Sequence, residues 1–114
     1  KLNRLMEEER LYREEDISLK DVADMLDISI QQLSEILNRD VQKNFNTFIN
    51  DYRVEEAKKL LTDDETLPIT HIALSVGFNS TTTFNRSFSR STGVTPKEFR
   101  KIKSAKKYKK QMKD

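Results

Sequence analysis

The chain has 114 residues, 35% of them charged, with two Gly, two Pro, one His and no Cys. This length holds one compact domain or two half-domains sharing a core, not a barrel or a two-domain enzyme. Scarce turn residues count against a multi-stranded β design, and the absent Cys and lone His71 exclude a disulfide framework, a thiol nucleophile and a multi-His centre. The net charge of +2 is unevenly spread: residues 1–65 carry 10 Lys/Arg against 17 Asp/Glu, and residues 66–114 carry 11 against 2. The basic half points to a polyanionic partner, most simply nucleic acid.

In chain order, Leu2, Leu5 and Met6 mark a leading helix. Ser18, three residues before Asp21, opens a second, in which Leu19, Val22, Ala23 and Leu26 form an i, i+3, i+4, i+7 stripe. After the break Asp27-Ile28-Ser29, the capping box Ser29-Ile30-Gln31-Gln32 starts a third helix with Leu33, Ile36 and Leu37 inward. Asp27 and Gln42 fall where helices end and the backbone turns left-handed, a conformation Asp tolerates better than Gln. Phe45, Phe48, Ile49, Tyr52, Ala57, Leu60 and Leu61 mark one long helix from about 45 to 62.

The first stripe then returns 50 residues later in Ile69, Ile72, Ala73 and Val76. The break Gly77-Phe78-Asn79-Ser80 is one residue longer, so the next helix, with Phe84 and Phe88 inward, follows at an offset of 51. Gly77 and Gly93 occupy the left-handed positions. Thr95-Pro96-Lys97-Glu98 is a second capping box, with Pro96 at the first helical position, where its missing N–H costs nothing. Residues 19–49 and 69–100 are thus two copies of one unit. The expected fold is all-α: about seven helices, in two helix-turn-helix subdomains joined by a long linker helix. Its parts are a leading helix with the first unit over 1–44, the linker over 45–62, the second unit over 63–103 and a basic tail over 104–114.

A short helix, a tight turn and a second amphipathic helix is the shape that lays its second helix in the DNA major groove. With Phe84 and Phe88 inward, Thr81, Thr82, Asn85, Arg86 and Ser89 face outward, with Arg90 one residue on. Arg86 suits guanine O6/N7, and Asn85 suits adenine N6/N7. No acidic residue occurs from Leu67 to Lys97. The first copy offers Gln31, Gln32, Ser34, Glu35, Asn38 and Arg39, with Glu35 in the place of Arg86. Glu35 either accepts from cytosine N4 and rejects wrong bases, or marks a helix that adds little affinity.

No nucleophile–base pair surrounds His71, and neither Glu7-Glu8-Glu9 nor Asp63-Asp64-Glu65 has ligand spacing. The expectation is therefore no enzyme, no metal and no cofactor. Phe45, Phe48, Phe84, Phe88 and Phe99 read as core rather than as a base-stacking platform. The seven Lys from Lys101 to Lys113 form either a solvated end or a phosphate-tracking tail. No apolar stretch reaches the roughly 20 residues of a membrane helix. The piece is expected to be cytoplasmic, with membrane anchoring open only through segments outside it. A start at Lys1, already in a helical pattern, is expected of a domain cut from a longer protein.

These residues resemble the DNA-binding domain of the AraC/XylS family of bacterial transcription regulators. The resemblance rests on Ile69-Thr70-His71-Ile72-Ala73-Leu74-Ser75-Val76-Gly77-Phe78, on Phe84-Asn85-Arg86-Ser87-Phe88 and on Gly93 to Arg100. The joining helix from Tyr52-Arg53 to Leu60-Leu61 also matches, and Lys43 to Asn50 is similar to members from Bacteroidetes. It covers about residues 17–101. It implies sequence-specific binding of double-stranded DNA by two helices entering successive major-groove segments, through Gln31, Ser34 and Glu35, then Thr81, Thr82, Asn85 and Arg86. It also implies RNA polymerase as a partner of the intact regulator, and a sensor or dimerisation domain missing from this chain. Glu35 and Gln42 depart from the family pattern of a basic residue and a Gly. The alternative is a helical protein-interaction module with weak or vestigial DNA binding.

Overall fold

The computed structural model describes residues 1–113, with side chains described through residue 106. Among these residues there are seven α-helices and no strand: α1 (Leu2–Glu7), α2 (Leu19–Met25), α3 (Ile30–Ile36), α4 (Phe45–Asp63), α5 (Ile69–Ser75), α6 (Thr81–Thr92) and α7 (Pro96–Lys113). Two short segments depart from α geometry. One is a 3-10 turn over Leu11–Arg13, entered through Arg10 at φ 50; the other is a π turn over Leu37–Val41 that prolongs α3.

The internal repeat is written in the backbone hydrogen bonds. The Ile28 N–H donates to the Ala23 carbonyl at 3.0 Å, and the Phe78 N–H to that of Ala73 at 3.0 Å. Ser29 Oγ caps α3 by accepting from the Gln32 N–H at 3.0 Å, as Ser80 Oγ caps α6 by accepting from that of Thr83 at 3.1 Å. Asn44 and Thr95 do the same for α4 and α7. Each cap meets an otherwise orphan donor in a first turn. Asp27 (φ 58), Gln42 (φ 60), Gly77 (φ 113) and Gly93 (φ 82) all hold the left-handed backbone their positions require.

Two apolar clusters form, one per unit. Met6, Leu11, Tyr12, Val22, Ala23, Leu33, Leu37, Phe48 and Ile49 make the first, with Leu19, Leu26 and Phe45 on its margin. Ile36, an expected member, is only half-buried, because the Leu33–Leu37 row faces the core and leaves it at the edge. Val54, Ala57, Leu61, Ile72, Ala73, Val76, Phe78, Phe84 and Phe88 make the second. There the rings of Phe78, Phe84, Phe88 and Phe99 succeed one another at centroid distances of 5.2, 5.7 and 5.3 Å. Tilted and edge-on contacts of this kind add to simple burial.

Helix α4 serves both clusters. At about 100° per residue, the step from Ile49 to Val54 turns the helix by about 140°, so the two cores sit on different faces of it. Its last carbonyls are met by α7: the Arg100 guanidinium donates to the Leu61 carbonyl at 3.2 Å and to that of Asp64 at 3.1 Å. Among the described residues, no helix is long and apolar enough to cross a membrane.

Candidate nucleic-acid interface

Phe84, Ser87 and Phe88 are buried and fix the inner face of α6. The helical repeat then turns Thr82, Asn85, Arg86 and Arg90 fully outward and leaves Thr81 and Ser89 half-buried at the margins. All seven ion pairs found among the described residues lie between residues 4 and 58. Arg86 and Arg90 therefore project without a neutralising carboxylate, the arrangement that contact with phosphates and base edges needs.

The first unit is built differently. Leu33 and Leu37 face inward, leaving Gln31, Gln32 and Glu35 exposed and Ser34 half-buried. The Gln32 side-chain oxygen accepts from the Ser29 N–H at 2.9 Å, so only its amide donors remain free. Asn38 and Arg39 lie on the π turn that continues α3, and both are exposed. Arg39 pairs with Asp40 at 3.2 Å, and Glu35, Asn38 and Arg39 border one shallow depression. With the π turn that prolongs it, α3 runs without a break from Ile30 to Val41, in register with Thr81 to Thr92 of α6.

Sequence reasoning missed what seats the two units. Arg53, in mid-α4, is 8% exposed and donates from Nε to the Tyr12 carbonyl at 2.7 Å and from Nη2 to that of Glu14 at 2.9 Å. Its guanidinium carbon stands 5.5 Å from the Phe78 ring centre. Beside it, Glu56 accepts from Tyr12 Oη at 3.0 Å and from Arg13, with Arg10 at 3.6 Å. Burial pushes the Glu56 carboxyl up, but the hydrogen bonds from Arg13 and Tyr12 and the nearby Arg charges outweigh it and hold the group below its ordinary range. Burial, together with Glu56, raises the Tyr12 phenol to about 12. A charged residue amid the apolar positions Tyr52, Val54 and Ala57 is the one signal by which Arg53 stood out.

His71 is exposed on α5, and no group of three or more His, Asp or Glu close enough to hold a metal occurs among the described residues.

Comparison with known proteins agrees with this geometry. The family described as "Helix-turn-helix domain" matches residues 22–102. A helix-turn-helix-type transcriptional regulator of Staphylococcus aureus (strain COL) is 38% identical over 101 residues, covering 88% of this chain and 13% of the relative. The chain thus spans only a small part of that relative's length. Among solved structures, the C-terminal domain of AraT, a response regulator from Geobacillus stearothermophilus, is 29% identical with a TM-score of 0.74, covering 82% of this chain and 76% of that one. The C-terminal domain of the two-component response regulator yesN from Fusobacterium nucleatum is 27% identical with a TM-score of 0.75, covering 87% and 93%.

Proposed function

The chain belongs to the AraC-type helix-turn-helix family of transcription regulators, whose domain binds DNA, and we propose that it reads one asymmetric duplex site with α3 and α6 in successive major-groove segments. The observation that carries the reading is the α6 face: Thr82, Asn85, Arg86 and Arg90 outward, sealed beneath by Phe84 and Phe88. Arg86 contacts a guanine and Asn85 an adenine, with Thr81, Thr82, Ser89 and Arg90 at the flanks and phosphates. Gln31, Ser34 and Glu35 read the other half, with Asn38 and Arg39 at the flank and Gln32 restricted by its capping hydrogen bond.

The role is one of binding rather than catalysis. The intact regulator works in the cytoplasm, joins this domain to a sensor or dimerisation domain, and acts on RNA polymerase. Glu35 and the acid-rich first half favour a second reading, in which the first unit docks protein and contributes little to DNA affinity.

Duplex titration separates the two. Arg86→Ala costs about 1–3 kcal/mol and relaxes preference at one base pair, a G·C. Glu35→Ala leaves non-specific binding unchanged or tighter, because a carboxylate near phosphates is removed, and lowers discrimination in the other half-site. If Arg86→Ala changes neither affinity nor preference, α6 does not read DNA. A Glu35→Ala variant silent in both measurements leaves α3 as scaffold.

A further inference from the structure

We propose that Arg53 and Gly77 are positioning residues that lock the α5–α6 unit onto the first lobe, so that the spacing between the two halves of the DNA site is set at this joint. The proposal rests on the reading that both α3 and α6 enter the duplex.

Tyr12 belongs to the first core and Phe78 to the second, and Arg53 holds both. Its third nitrogen donates to Asn50 Oδ1 at 3.0 Å, so each arm of the buried guanidinium has a partner. A buried cation is costly unless its donors are met. Here two of the three acceptors are carbonyls of the Tyr12–Glu14 segment, offered only while that segment stays seated. From the other side, Gly77 closes on the same carbonyl. A Cβ at Gly77 would lie 2.4 Å from the Tyr12 oxygen, 2.8 Å from Arg53 Nε and 3.0 Å from Arg13 Cα. Phe78 follows Gly77 directly and packs on Phe84 of α6 at 5.2 Å, so the seat of the turn is the seat of the reading helix. Both residues are buried, away from the exposed face of α6.

Two modules on a stiff joint bind with an effective concentration set by geometry. One inserted base pair moves the half-sites about 3.4 Å apart and turns them by about 35°, which a stiff joint cannot follow.

The chain lacks Cys, so Met25→Cys and Leu74→Cys place spin labels on exposed positions of α2 and α5. The label-to-label distance is measured in the labelled chain and in its Arg53→Lys and Arg53→Ala forms. The unlabelled proteins are titrated with a duplex selected by the parent protein from a random pool, the same duplex with one base pair inserted between its halves, and the half-site read by α6 alone. The parent shows one narrow distance and loses roughly 10- to 100-fold in affinity on insertion. Arg53→Lys, whose single ammonium cannot span three acceptors, broadens the distance, weakens the full site about tenfold, and keeps half-site affinity and α-helical circular dichroism. Its insertion penalty falls below roughly threefold.

An unchanged distance and penalty in Arg53→Lys overturn the proposal, and so does equal loss at full and half sites. Loss of folding in both variants makes Arg53 a stability residue and overturns it too. Failure of the two-helix reading shows separately, as a parent protein with no insertion penalty.

Discussion

Gly77 and Gly93 both hold positive φ, yet they do so for different reasons. Nothing lies within 4 Å of a Cβ built on Gly93, so only its backbone angle favours glycine, whereas one on Gly77 would meet the Tyr12 carbonyl at 2.4 Å. Gly93→Ala is therefore expected to cost about 1 kcal/mol, the penalty of an L-residue in the left-handed region. Gly77→Ala adds a steric clash and costs about 2–5 kcal/mol. Urea unfolding of the two variants checks this, and equal losses would contradict it. Gln42, at the place of Gly93, holds the same conformation at φ 60. At this scale the turn positions were legible because two copies of the unit could be laid over each other. The role of Arg53 was not, since its acceptors are carbonyls of Tyr12 and Glu14, 41 and 39 residues away in sequence.

The caps at Ser18, Ser29 and Thr95 were legible because a capping box is a local pattern of hydroxyl and N3 acceptor. The 3-10 turn was not, because three residues have no period of their own and Tyr12 and Arg13 are held by Glu56 of α4. Over Leu37–Val41 the helix was legible but its π geometry was not, since one apolar stripe suits both. Asn38 and Arg39, on the π turn, stay exposed and border one depression with Glu35 of α3. The 3-10 turn is fastened to α4 through Glu56, and that contact carries a pH signature. Its carboxyl is held low in the folded chain, so the stability it confers is present above the unfolded carboxyl pKa and disappears as pH falls through the lower folded value. Glu56→Gln should cost about 1–3 kcal/mol at neutral pH and reduce the fall in stability below about pH 4.5. Thermal melts across the acid range test it, and a variant with an unchanged acid limb would contradict it.

At the scale of the molecule, the division of charge has a structural counterpart. Among the described residues the ion pairs lie in the acidic half, and the second unit presents Arg86, Arg90, Lys97 and Lys101 to solvent. If about 6–10 phosphates are contacted, affinity falls roughly 10³- to 10⁵-fold between 50 and 200 mM salt, and indifference to salt would contradict the electrostatic account. The remaining Lys of the C-terminal run add to that slope only if they track phosphates, and their side chains from residue 107 on lie outside the described residues. Whether α3 reads bases alongside α6 is the central claim, and selecting bound sequences from a random duplex pool tests it most directly. The account predicts two conserved blocks of different sequence, centred about one helical turn (roughly 10 base pairs) apart, with a G·C in the block that Arg86→Ala relaxes. A single conserved block, or no enrichment at all, would contradict it.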